Sequence, residues 1–271
     1  QTGMHPGVYV PKSERSAEQH DAAMFYFGPA DSDGTVHMYV ERHTVSDEGD
    51  NAQLHEFFTS TPIDPDYQRG WPAGVDVKGG SVDQRGVGTF ELIGDVDLTD
   101  PSGLSPKEAR AAIQALMYGA SSTRAEALQR GPIYPAYIEK FRFIYNGEPL
   151  TQLFGLDVSS PVGITEELGA PVQLSSVNQG TDYLVDGLVV SNPVVVEGFA
   201  DVFEGNVNWQ LLDASGAVLD EGHETAATDA WAPFTVKLGI LEPGGYTIRA
   251  FEVSAKDGSE TFVDDKAFTV E

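Results

Sequence analysis

The chain has 271 residues, 41% hydrophobic and 10% aromatic, which is the composition of a folded protein with room for two ordinary domains. Sixteen basic residues face 42 acidic ones, a formal charge of −26, which argues against nucleic acid and against an anionic membrane face reached without a lipid anchor. Zero cysteines exclude disulfides, thiolate metal sites and cysteine nucleophiles.

No stretch approaches the roughly 20 apolar residues of a membrane-spanning helix, and Gln1 to Pro11 lacks the basic-then-apolar pattern of a signal peptide. The polar run Lys12 to Asp21 suits a tether to a membrane anchor lying upstream, so residues 1–21 are expected to be a flexible tail. Met24 to Phe27 and Thr35 to Val45 read as paired strands about the turn Pro29 to Gly34. Asp50 or Asn51 can cap a short helix carrying Leu54, Phe57 and Phe58, which Pro62 ends. Strands follow at Gly74 to Val77 and Gly88 to Leu98, the second divided at Gly94.

The clearest helix is Pro106 to Tyr118. Ser105 is its N-cap with Glu108 three residues on, and Pro106 takes the first helical position. Ala109, Ala112, Ile113, Leu116 and Met117 form one apolar stripe, and Gly119 is expected to stop the helix. Lys140 to Tyr145 alternates like a strand and turns at Asn146-Gly147. Residues 155–170, rich in Ser, Pro, Gly and Glu, read as a linker after an α+β domain over 22–154.

Beyond the linker the texture changes to strand and turn. Short strands are expected at Val172 to Val177, Leu188 to Val190, Val194 to Gly198, Asn206 to Asp213, Phe234 to Leu238, Gly245 to Ser254 and Ala267 to Val270. Seven short strands without a helical period over 171–271 indicate an all-β sandwich of immunoglobulin type.

Particular residues carry a resemblance. Val190 to Ala200, then Phe203-Glu204-Gly205-Asn206-Val207, Trp231-Ala232-Pro233-Phe234 and Phe251 to Gly258 resemble, in order, the immunoglobulin-like domain of bacterial spore germination proteins. Ser176-Val177-Asn178 departs from it, because the family's opening strand usually ends in Ser-Pro. The first half is similar, more loosely, to the sporulation and germination domain named after the GerM protein. That likeness rests on Asp95 to Leu98, Ala112 to Leu116 and Phe141 to Gly147. The two resemblances imply an exported, lipoprotein-like chain of a Gram-positive, for instance actinobacterial, cell envelope, with no established catalytic residue set.

Motifs that carry chemistry are missing: there is no His-Glu-x-x-His, no phosphate loop, no dinucleotide fingerprint and no Gly-x-Ser-x-Gly elbow. His37 and His43 share a face if both lie on one strand, yet a metal needs three or four converging ligands, so no metal and no cofactor is expected. Asp95, Asp97 and Asp100 fail the calcium-loop pattern, which would need Gly at position 100 and Glu at 106. Asp31 to Gly34 and Asp264-Asp265 read as turn formers and solvated charges.

The aromatic residues remain. Trp209 lies in the alternation Val207, Trp209, Leu211 and reads as core, whereas Trp231 sits in a loop. Phe203 is expected to pack and Glu204 to hold a turn. Trp231, Phe203 and Glu204 are nevertheless the candidate binding residues, because they interrupt strands within the motifs that carry the resemblance. The functional expectation is a non-catalytic, extracytoplasmic adaptor whose two domains jointly present a surface to an exported protein or a cell-wall polymer. The alternative is a wall-glycan-binding or peptidoglycan-active protein.

Overall fold

The computed structural model describes residues 4–31, 34–46, 51–101, 103–121, 138–165, 168–228 and 230–271. Residues 32 and 33 of the expected Pro29 to Gly34 turn, and the alternative helix cap Asp50, lie outside that set. The chain divides into two compact units, 1–9 with 16–169 and 10–15 with 170–271.

The first unit is α+β. Strands β1 (Gln19–Phe27) and β2 (Met38–Ser46) form an antiparallel hairpin, with Phe27 opposite Met38. Helix α1 (Ala52–Thr59) follows. A second sheet contains β3 (Val75–Val82), β4 (Val87–Gly94) and β5 (Lys140–Tyr145), in spatial order β3, β4, β5 and then the short strand Val162–Gly163. β4 and β5 run parallel. A parallel pair needs a long crossover, and helix α2 (Pro106–Ser121) lies within it.

Helix α2 starts as its sequence dictates: the Ser105 amide donates to Glu108 Oε2 at 2.8 Å, and the Glu108 amide donates to Ser105 Oγ at 3.3 Å. It runs past Gly119 to Ser121 because Gly119 keeps a right-handed backbone and its carbonyl accepts the Gln53 side-chain amide at 3.1 Å. The stripe expected to be apolar is buried. Phe25 and Tyr118 meet with ring centres 5.5 Å apart, and Trp71 Nε1 donates to the Ala112 carbonyl at 2.8 Å. A chain of ring contacts, Tyr26 to Phe57 to Phe58 to Trp71 to Phe154, makes the rest of this core.

Described residues of two segments, one expected as a flexible tail and the other as a linker, are paired or buried in the structure. In the tail expected over 1–21, His5–Pro6 pairs with Ser60–Thr61, and β1 already begins at Gln19. Lys12 belongs to the second unit: its amide donates to Asp182 Oδ1 at 2.7 Å, and its ammonium lies 4.4 Å from the Tyr183 ring centre. The described residues of the linker expected over 155–170 belong to the first unit as far as Gly169, and Ala170 to the second. Leu156–Asp157 pairs with Gln152–Leu153 and Val162–Gly163 with β5, while Phe154 and Val158 are buried. Composition signalled a linker, but the buried Val158 side chain, the buried Phe154 just before the segment and paired backbone groups hold it.

The second unit is a β-sandwich. One sheet orders Asp182–Tyr183, β6 (Val172–Val177), β8 (Val194–Ala200) and β11 (Ala232–Gly239). The other orders β7 (Leu188–Val190), β13 (Glu260–Val270), β12 (Gly244–Val253), β9 (Asn206–Asp213) and β10 (Val218–Thr225). Alternate residues turn inward: Val194, Val196, Phe234 and Val236 from one sheet, and Val207, Trp209, Leu211 and Ile248 from the other. β10 was not expected, since most of its residues are exposed and no alternation marks it; its pairing with β9 defines it.

Asp264 corrects the expectation of a solvated charge. With Lys266 it forms an ion pair at 2.6 Å, both side chains 2% exposed. Asp264 Oδ2 also accepts the Leu174 amide at 2.6 Å, where a bulge interrupts the β6 ladder. A backbone donor freed by the bulge thus finds its acceptor in the core.

Candidate functional site

The candidate residues gather at one end of the sandwich. Three connections emerge there: 201–205 between β8 and β9, 226–231 between β10 and β11, and 254–259 between β12 and β13. The pairings Ala200 with Ala232 and Asn206 with Thr225 place the first two at the same edge of their sheets. Loops on a paired scaffold are where recognition residues are usually carried.

Phe203-Glu204-Gly205 is a tight turn. Glu204 and Gly205 both adopt left-handed backbone, φ 56° and 68°. Gly205 is required: a Cβ there would lie 2.4 Å from the Ala226 carbonyl oxygen. The turn is tied on three sides, by Gly205 N–H to the Val202 carbonyl (2.9 Å), Ala226 N–H to the Gly205 carbonyl (2.7 Å) and Phe203 N–H to Glu252 Oε1 (2.9 Å). Glu204 therefore holds a turn through its backbone. Phe203, expected to pack, is 68% exposed. The backbone bonds fix the turn, and a large apolar side chain projects from it mostly into water.

Trp231 lies at the same end, half-buried rather than presented as a free platform. Its ring stacks on Phe199 with centres 5.9 Å apart and planes 8° off parallel. Its Nε1 is sequestered with no hydrogen-bond partner among the described residues. Trp209 lies in the core as expected, and Gly222 on β10 gives its ring room, since a Cβ there would come within 2.8 Å. The Phe203 turn had a sequence signal: Glu-Gly after a lone aromatic inside a loop demands left-handed backbone and leaves the aromatic outside a strand.

Residues 185–259 match the immunoglobulin-like domain of bacterial spore germination. That span includes Phe203, Glu204 and Trp231, so all three lie within the part of the sandwich that carries the match. Among solved structures, CopC from Methylosinus trichosporium OB3b is similar at 21% identity, over 36% of this chain and 91% of that one, with a TM-score of 0.26. No curated protein matches the chain.

The first unit has a buried polar cluster that sequence reasoning missed. His43 is fully buried. Its Nε2 faces Glu41 Oε1 at 2.6 Å and its Nδ1 faces Glu56 Oε1 at 2.9 Å, with Ser60 Oγ 3.3 Å from Nδ1. Burial pushes the imidazole pKa down, but hydrogen bonds to Glu41 and Glu56 and their charges outweigh it and raise it. Burial pushes the Glu56 carboxyl up, and the bond to His43 with its charge outweighs that and lowers it.

A serine, a histidine and a carboxylate this close resemble a nucleophile with its base, but the bonds point otherwise. Both ring nitrogens face carboxylates, which favours the imidazolium, a form that cannot take a proton. Ser60 Oγ donates to the Glu56 carbonyl at 2.8 Å, and Gly7 packs so closely that a Cβ would come within 2.2 Å of the His43 ring. The pairing of His37 with His43 on one strand face also dissolves. His37 precedes β2, and its Nε2 lies 3.1 Å from Asp31 Oδ2. Among the described residues no group of three or more His, Asp or Glu side chains is arranged to hold a metal ion.

Proposed function

We propose that this chain is a non-catalytic binding protein of the bacterial cell envelope, acting outside the cytoplasm as an adaptor. Its sandwich recognises an exported protein partner through the loop end centred on Phe203. The observation that carries this reading is Phe203 itself, 68% exposed on a turn tied by two backbone hydrogen bonds and a third from its amide to the Glu252 carboxylate. An aromatic anchor on a turn whose backbone is already ordered leaves less conformational entropy to lose on docking, a property that favours interface hot spots.

The match over 185–259 to the immunoglobulin-like domain of bacterial spore germination supports an envelope setting. The absence, among the described residues, of a helix long and apolar enough to cross a membrane fits a chain that works at a surface. Residues 161–271 hold 4 basic and 19 acidic residues, which favours basic or neutral partners and disfavours polyanionic wall polymers unless cations bridge them. On this reading the first unit is the GerM-type domain of its likeness.

The test is cross-linking in the intact cells that make the protein, with partners identified for the native chain, Phe203→Ala and Trp231→Ala. Truncating an exposed ring should leave stability within about 0.5 kcal/mol, while the yield of the native partner falls several-fold. Unchanged partners in equal yield from a folded Phe203→Ala chain would defeat the assignment of this surface. Recovery of no protein, with binding to purified wall glycan instead, would replace the adaptor by a glycan-binding module.

A further inference from the structure

The first unit contains a cleft of about 410 Å³ between α2 and the segment 156–165, a size typical of small-molecule sites. Its walls are fixed. Gln114 Nε2 donates to the Gly163 carbonyl at 2.8 Å, the Thr165 amide donates to Gln114 Oε1 at 2.9 Å, and the Tyr118 hydroxyl donates to the Thr165 carbonyl at 2.6 Å. The buried polar groups of the wall therefore bond one another, and what faces the cleft is mainly aliphatic: Ile113, Val158, Val162 and Ile164 among them.

Two charged groups of opposite sign, Arg110 and Asp157, also line it, and both are exposed. Arg110 is notable in a chain with 42 acids against 16 bases. Among the described residues it bonds the Thr165 hydroxyl, 3.1 Å from Nη2, through one nitrogen of its fork. Asp157 uses Oδ1 for both the Ser159 amide (2.9 Å) and the Ser159 hydroxyl (2.6 Å). Those bonds, the hydroxyl first, hold its carboxyl below the usual range and leave Oδ2 for a cation.

We infer that this cleft binds a small zwitterion with an aliphatic body, its carboxylate on Arg110, its ammonium on Asp157 and its side chain against the aliphatic wall. The guanidinium fork suits a carboxylate bidentately. A free aliphatic amino acid and a short apolar peptide share this chemistry, and the probes separate them.

The full chain is titrated by two-dimensional NMR with leucine, leucyl-leucine, 4-methylpentanoate, which is leucine without the ammonium, and isoamylamine, which is leucine without the carboxylate. Leucine or leucyl-leucine should shift amides of Gly163, Ile164 and Thr165, and whichever binds more tightly identifies the source. 4-Methylpentanoate should bind about tenfold more weakly, a loss of about 1.4 kcal/mol. Arg110→Gln, at an exposed position, should weaken the zwitterion at least tenfold, and Asp157→Asn should bring it to the level of 4-methylpentanoate without changing 4-methylpentanoate itself. No shift at about 10 mM of either zwitterion, or equal binding by Arg110→Gln, would overturn the site. 4-Methylpentanoate binding as tightly as leucine, or isoamylamine binding best, would overturn the zwitterion.

Discussion

Replacing His43 by leucine removes the cation between two carboxylates, one of which, Glu41, is 2% exposed and also accepts the amides of Ile63 (2.8 Å) and Asp64 (2.7 Å). Breaking a buried ion pair from one side costs about 3–5 kcal/mol, because the remaining charge stays in a poorly solvated place. At roughly 2–4 °C per kcal/mol for a domain of this size, melting of the first unit should fall by about 6–20 °C. Adding Glu56→Leu takes away one of the two orphaned carboxylates and should recover part of the loss.

The pH dependence provides a second readout for the same variant. The His43 pKa is raised above its ordinary 6.5, so its contribution is complete below that value and is lost as pH rises through the folded pKa. The Glu56 pKa is lowered below its ordinary 4.5, so its contribution is complete above that value and is lost as pH falls through the folded pKa. The cluster is thus at full strength between about pH 4.5 and 6.5. Stability should decline on the alkaline side by up to about 1.4 kcal/mol per pH unit, and His43→Leu should flatten that limb. Calorimetry of the native chain and the variant across this range gives the answer: a variant that melts with the native protein, or keeps its alkaline decline, would refute the clamped-imidazolium reasoning.

In the second unit, Gly205→Ala forces a Cβ against the Ala226 carbonyl at positive φ and should cost about 1–3 kcal/mol by chemical denaturation. Because it displaces the turn that carries Phe203, it should also reduce partner recovery, unlike a surface change of equal stability. Lys266→Met leaves Asp264 buried without its cation and should cost about 3–5 kcal/mol. Hydrogen exchange at the Leu174 amide, bonded to Asp264, should speed up with it; an unchanged rate would mean the ion pair does not hold the β6 bulge.

Some of this was legible in the chain because its causes lie within a few residues. The Ser105–Glu108 capping box and the Asn146-Gly147 turn, with φ of 50° and 88°, follow from local backbone chemistry. The inward alternation of Val207, Trp209 and Leu211 follows from the two-residue period of a half-buried strand. The α+β unit followed by a sandwich could be read for the same reason, since helical and strand periods differ along the chain.

The candidate end of the sandwich was readable as residues but not as a surface. Phe203 and Trp231 are both aromatics next to turns, and nothing within ten residues says that Trp231 has Phe199 to lie on while Phe203 stays 68% exposed. By itself the sequence determined the local elements, the caps and turns, the acidic balance and the lack of catalytic motifs. Only the tertiary structure decided that His5–Pro6 and Val162–Gly163, in the stretches expected as tail and linker, pair with other strands, that β10 is a strand, and that His43 is clamped between carboxylates on a neighbouring strand position and a helix. The reason is physical: periodicity and capping report interactions along the chain, whereas burial of a charge or exposure of a ring is fixed by partners that arrive from distant segments and leave no local pattern.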